Sequence, residues 1–384
     1  MGKIEAGGRF DRWHTEYGVA LEDMIETWGS EFRPRVCTVP PFRILLCNTR
    51  QSFGHALVMI ATASRICANF KESEATFIIS GGPSFLQSLF ALYPFPCELM
   101  VARTKQDFAI AFGGQAFESR QMVLPEEFAN TDRYLADLGA GGLVVPDGVA
   151  EKARALLLQL GLKEDRWFCC MHYRDAGFAG KRDTMRDTDV APYAQAVDYV
   201  IDELGGQVVM LGHPGMRAPD PRTGFVDLSR QAGWELLQAY AVSRSRFFVG
   251  GPSGPLVFPA GFDVPFGAID QIMDHSLGQT ISVTPTLHLP DGSRLQDDAL
   301  LASEYSDDDD LLGLLTDPES GFRLESCGLK EISGVIDLLF KETFDTPKWR
   351  QPVTDVSEKS EAIQWPPRVR RDFRFLPRAV DDCA

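Results

Sequence analysis

Nowhere in the 384 residues does an apolar run approach the ~20 positions a membrane-spanning helix needs. The first 40 residues carry Glu5, Asp11, Glu16, Glu22, Asp23 and Glu26, and lack the basic-then-apolar form of a secretory signal. The eight cysteines are scattered (37, 47, 67, 97, 169, 170, 327 and 383), and no C-x-x-C occurs. Neither a disulfide framework nor a zinc site is suggested, so the expectation is reduced thiols in a cytoplasmic protein, with a peripheral position at a membrane left open. Positive charge is also scarce: 38 basic against 54 acidic side chains gives a net charge of −16. A bulk nucleic-acid binder normally has the opposite sign, which excludes that partner. No internal repeat is present beyond a coarse echo between two halves.

What is present is enough chain for two domains, 44% hydrophobic, with 34 Gly and 24 Pro. Residues 1–40 read as an appendage with one helix, Val19–Trp28. Regular alternation then begins: strand Phe42–Cys47, loop, helix Ala56–Phe70, strand Thr76–Ile79, a Gly81-Gly82-Pro83 break and helix Phe85–Tyr93. Leu99–Ala102 and Phe108–Phe112 read as further strands. Glycine-rich Leu138–Asp147 reads as a linker, after which the pattern restarts: helix Val149–Leu160, strand Trp167–Met171, helix Tyr193–Leu204 and strand Gln207–Leu211. Helix Trp234–Val242 and strands Arg246–Val249 and Val264–Ala268 follow. Strand-loop-helix alternation of this kind is the grammar of doubly wound parallel sheets. The expected fold is therefore α/β, with two Rossmann-like domains (41–145 and 146–345) facing each other, an N-terminal appendage and a tail (346–384) lying back on the body. The acidic run at Ser306–Leu315 reads as a solvated helix start or loop, and Lys330–Lys341 as a helix with one apolar face.

Open α/β sheets present chemistry at the carboxyl ends of their strands. At the end of Trp167–Met171 stand His172, Tyr173 and Arg174, and Arg182 and Arg186 lie just behind. Cations converging on a strand end in an acidic chain suggest a pocket for a phosphorylated ligand, with Arg174 bidentate on phosphate and His172 bonding it or orienting the arginine. The alternative is an interdomain ion pair with one of the many carboxylates, and for Arg182 and Arg186 surface pairing with aspartates. Gly212-His213 follows the next strand and would let a base or ribose approach the backbone. Asp227 either serves that nucleoside or holds a turn. Gly250-Gly251-Pro252-Ser253-Gly254 exposes backbone N–H groups and a hydroxyl, a small cradle for phosphate or sugar, with Gly251, Ser253 and Gly254 as its contacts. In the first domain Asn48 and Gly54 lie on the loop after the first strand, and His55 either takes a proton from an acceptor hydroxyl or only caps the helix or binds the ligand. Asp187-Thr188-Asp189 matches the D-x-D of some metal-dependent sugar transferases, but Asp189 as an N-cap is the better account, so no metal is expected.

At MHYRDAGF, RDTDVAPY, GGQVVMLGHPGM, FVDL and FFVGGPSGP the chain resembles GT-B glycosyltransferases, in particular a largely uncharacterised bacterial family with an H-x-R strand end. The resemblance covers about Trp167–Phe266, and SFGHAL in the first domain; EISGVIDLLFK fits the family's C-terminal helix. The turn region is also distantly similar to that of heptosyltransferases, with Pro252 in place of an acidic residue and Phe258 in place of a histidine. His172-Tyr173-Arg174 is similar to the H-x-R of fucosyltransferases. The resemblance implies a metal- and cofactor-independent transfer of a sugar from a UDP-, GDP-, CMP- or ADP-linked donor to a carbohydrate, lipid-linked or protein acceptor. A sugar-nucleotide epimerase, a pyruvyl transferase and a non-catalytic nucleotide-sugar-binding protein are the rivals.

Overall fold

The computed structural model describes residues 43–48, 53–69, 74–80, 84–102, 122–125, 142–175, 185–231, 233–272, 280–303, 305, 308–346, 348–351 and 374–375. The helix expected at Val19–Trp28, the strand expected at Phe108–Phe112 and the side chain of Arg182 lie outside them. Packing divides the chain into two compact units, Met1–Val144 with Asp355–Ile363, and Val145–Thr354 with Gln364–Ala384.

The first unit is built on β1 (Arg43–Asn48), β2 (Glu74–Ser80), β3 (Cys97–Ala102) and β4 (Met122–Pro125), all parallel in the order β3-β2-β1-β4. Helix α1 (Phe53–Asn69) joins β1 to β2, and the short α2 (Ser84–Leu89) runs on as a 3-10 turn, Phe90–Leu92. Ala56, Ile60, Ala63 and Cys67 recur at three- and four-residue spacing along α1 and are all buried. Phe77 of β2 meets Phe90 and Tyr93 edge-on at 4.9 and 5.2 Å.

The second unit carries a seven-stranded parallel sheet: β5 (Phe168–His172), β6 (Gln207–Met210), β7 (Phe225–Asp227), β8 (Phe248–Gly250), β9 (Phe266–Ile269), β10 (Thr280–Val283) and β14 (Arg374–Phe375). Their order, β7-β6-β5-β8-β9-β10-β14, is the 3-2-1-4-5-6 order of the doubly wound fold with one strand added. Every residue of β5 is buried, as expected where helices cover both faces of a sheet. On one face α4 (Val190–Asp202) and α9 (Leu329–Glu342) place Val197, Val200, Ile332, Val335, Ile336 and Leu339 against Cys169, Met171, Val249 and Ile281. Helices α3 (Asp147–Gln159) and α5 (Trp234–Arg244) pack against each other.

Three features depart from the sequence reading. Phe225–Asp227 is a strand, to which the sequence reading assigned no element. The turn after β8 runs directly into a 3-10 turn, Gly254–Leu256, and the short α6 (Val257–Gly261). Between β10 and α9 the chain inserts a three-stranded antiparallel sheet, β12-β11-β13 (Arg294–Leu295, Thr286–His288, Arg323–Glu325), with α7 (Asp297–Leu301) and α8 (Asp308–Thr316). Its small core of Leu287, Leu300 and Leu311 also takes in Ile272 and Met185, the latter from the segment after β5.

Candidate functional site

In an open parallel sheet the strand order reverses at one point, and the crevice there lies outside the carboxyl ends of the two central strands. In the second unit that point falls between β5 and β8. The sequence-predicted residues His172, Arg174, Gly251, Ser253 and Gly254 follow those two strands. Gly251 N–H donates to His172 O at 3.2 Å, which ties the two strand ends together. A Cβ on Gly250 would lie 2.9 Å from His172 O, so only glycine lets β8 come this close to β5. Gly251 is different: a Cβ there would meet nothing nearer than the Tyr193 hydroxyl at 3.6 Å. Ser253 Oγ is buried and has no hydrogen-bond partner.

The cation at this edge is restrained. Arg174 Nε lies 3.2 Å from Asp187 Oδ1, the two side chains being 17% and 6% exposed, and Thr188 N–H donates to Arg174 O. The pair lies within the second unit, whereas the alternative weighed for Arg174 is an interdomain ion pair. Arg186 is exposed. Asp187 is thus occupied by an arginine, and Asp189 takes the N-cap position of α4 without a side-chain capping bond. Among the described residues no three His, Cys, Asp or Glu side chains are gathered so as to hold a metal.

The histidines are fixed by backbone. His172 is buried with Nδ1 3.1 Å from Leu211 O, so Nδ1 carries the proton and Nε2 is left as an acceptor. Burial pushes its pKa down to about 4, and His172 adds no positive charge for a phosphate near neutral pH. His213 Nδ1 accepts from Gly215 N–H at 3.1 Å, which puts the proton on Nε2, 3.7 Å from Asp175 Oδ1. Burial lowers its pKa while Asp175 opposes the shift. Asp175 Oδ2 also accepts from Arg217 N–H at 2.9 Å, and the Tyr173 hydroxyl donates to Arg217 O. Asp175 was not singled out from the sequence, although it adjoins Arg174; its partners lie some 40 positions away and leave no local signal.

Gly212 and Asp227 each have a local structural partner. The space beside Gly212 is filled by Met216, whose Sδ would lie 2.3 Å from a Cβ, and Gly212 O accepts from Gln238 Nε2 at 2.6 Å. The missing side chain leaves room for a methionine. Asp227 Oδ1 accepts from Ser229 N–H at 2.8 Å, the turn alternative. In the first unit Asn48 ends β1, its side chain lying outside the described residues, and α1 begins at Phe53. Gly54 and the half-buried His55 consequently belong to the first turn of that helix rather than to the preceding loop.

With this geometry in view, the architecture matches a solved bacterial protein, a glycosyl transferase of family 9 from Veillonella parvula DSM 2008. The match covers 79% of this chain and 98% of that one, with a TM-score of 0.53 at 13% identity. At that identity the likeness is one of fold. The ADP-heptose lipopolysaccharide heptosyltransferase II of E. coli also aligns, over 63% of this chain and 90% of its own, at 14% identity and a TM-score of 0.41, too low to add to the comparison. No protein-family model and no curated protein matches the sequence. Among the described residues no helix is long and apolar enough to cross a membrane.

Proposed function

We propose that the chain is a glycosyltransferase of GT-B architecture that moves a sugar from a nucleotide-sugar donor to a hydroxyl acceptor without a metal. One observation carries this reading: Arg174 and the Gly250–Gly254 turn meet at the strand-order reversal of the second sheet, where doubly wound folds bind their ligands. The fold shared with a family 9 glycosyl transferase supports it. In this scheme the second unit holds the donor. Arg174, aided by Arg182 or Arg186, neutralises the phosphates, Ser253 and the flanking backbone hold phosphate or sugar, and His213 faces the nucleoside. As the glycosidic bond breaks, negative charge grows on the leaving phosphate. A fixed guanidinium favours that state over the ground state, which removes the need for a metal. The first unit brings the acceptor, with His55 as the base.

Screening UDP-, GDP-, CMP- and ADP-sugars for thermal stabilisation, followed by a product assay, tests the proposal. A tight donor raises the midpoint by mass action. Released nucleotide together with a new glycoside supports transfer; an isomerised free nucleotide sugar points to an epimerase instead. His55→Ala is expected to lower turnover and leave donor affinity intact, and full activity would reduce that histidine to a structural part. The Arg174–Asp187 pair favours a second reading, in which nucleotide sugar is bound but not turned over because the guanidinium stays with its carboxylate. That reading predicts donor-dependent stabilisation with no product from any acceptor.

A further inference from the structure

Tyr193 lies in the first turn of α4 and is completely buried, its ring tilted against Tyr173 at a centroid distance of 5.0 Å. Its hydroxyl has no hydrogen-bond partner. Burial, reinforced by the nearby Asp270 carboxylate, holds the phenol in its protonated, donating form. Leaving such a group unpaired costs about 1–3 kcal/mol, and buried polar atoms in folded proteins are paired in the great majority of cases. A phenylalanine would pack equally well at no such cost, so the oxygen needs a use.

Its surroundings indicate one. The hydroxyl lies 3.6 Å from where a Cβ on Gly251 would stand, and packing, which demands a glycine at Gly250, does not demand one at Gly251. Two residues on, Ser253 Oγ is likewise buried without a partner. Next to them Asp270, at the end of β9, holds a left-handed backbone (φ +57°) while its Oδ1 accepts from Cys327 N–H at 2.6 Å. A buried donor, an unpaired hydroxyl and a strained carboxylate-bearing residue therefore meet under one turn; strain of this kind collects at ligand clamps. Because Tyr193 has no exposed surface, a ligand cannot touch it; it must act through the turn.

We propose that Tyr193 is a positioning residue for the Gly251–Ser253 turn, its hydroxyl bonding to the turn in the ligand-bound protein and so fixing Ser253 toward an anionic group. This rests on the reading of the turn as a diphosphate cradle. Tyr193→Phe removes only the oxygen. Titration with pyrophosphate, ADP, UDP, GDP and CMP, beside thermal unfolding of the free protein, separates the possibilities. The expected result is an unchanged or higher midpoint for the free variant with at least tenfold weaker binding of whichever compound the unaltered protein binds. A tyrosine with a merely structural role would not give opposite signs in the two measurements. Gly251→Ala, whose methyl fits against the hydroxyl at ordinary contact distance, is expected to give the same loss, and the double variant no more than either alone. Affinity within twofold of the unaltered protein for both variants overturns the role of Tyr193 and leaves the donor site standing. Failure of every compound to bind the unaltered protein overturns both.

Discussion

The two ends of the second unit's sheet are built to opposite standards. At the end where strands begin, Arg246 is buried with its guanidinium over Phe340 and Trp167, at 4.2 and 5.0 Å from the ring centroids. Its Nε donates to Thr343 Oγ1 and its Nη2 to Phe340 O, at 2.8 and 2.7 Å. Gln207 there bonds Lys163 through both ends of its amide. At the end where strands finish, Arg174 Nε lies 3.2 Å from an Asp187 carboxylate oxygen, and the hydroxyls of Tyr193, Ser253 and Ser229 are buried without partners. One arginine is a rivet and the other a placed charge. Polar groups left incompletely satisfied inside a low-dielectric region are expensive, and those at the strand ends lie where doubly wound folds bind their ligands.

That contrast can be broken by substitution. Arg246→Ala removes two charge-assisted hydrogen bonds and two ring contacts; the expected loss is about 4 kcal/mol in urea unfolding, with ligand affinity unchanged in the fraction that folds. An affinity loss would mean the two ends are not separable. Arg174→Ala leaves the Asp187 carboxylate buried beside an empty place, so it is expected to cost about 3 kcal/mol of stability as well as about 100-fold in nucleotide affinity, or about 2.7 kcal/mol. Replacing both Arg174 and Asp187 by alanine is expected to restore stability and not affinity. Recovery of both by the double variant would show that the arginine serves the fold alone.

The smallest effect concerns acid. The folded-state pKa of His172, about 4, lies below the unfolded value near 6.5, so the unfolded chain takes up its proton first as pH falls. Stability from this residue is intact above pH 6.5 and declines toward pH 4, by about 2 kcal/mol at pH 5. His172→Gln, which can still donate to Leu211 O, is expected to flatten the pH profile of unfolding over that range. A profile unchanged by the substitution would place the titration elsewhere.

The long elements were legible because their signals are local. Apolar spacing placed α1, α4 and α9 within a few residues, and short apolar runs ending in glycine or polar residues placed β1, β2, β5, β6 and β8. The small sheet between β10 and α9 escaped, since strands of two or three residues such as Arg294–Leu295 carry no period to read. The pairing of Arg374–Phe375 with Ile281–Ser282 escaped because its partner is remote in sequence. At the site, the strand ends were found but not the job of each glycine. Gly212 and Gly250 are dictated by Met216 Sδ and His172 O, atoms contributed from elsewhere in the chain, and only coordinates reveal what fills the space beside a Cα. Tyr193 looked like one more apolar residue of an amphipathic helix for the same reason: whether a phenol finds a partner is decided by the turn above it.

Met185 belongs to the core of the inserted sheet, and two residues further on Asp187 grips Arg174. The peripheral module therefore anchors the very strap that restrains the charge at the strand end. A cavity cut into that outlying core, as by Leu287→Ala, loosens the strap's mooring without altering any atom at the crevice. Affinity could be tuned from a patch of the molecule that ligand never meets, which gives the insert a reason to exist beyond covering the sheet.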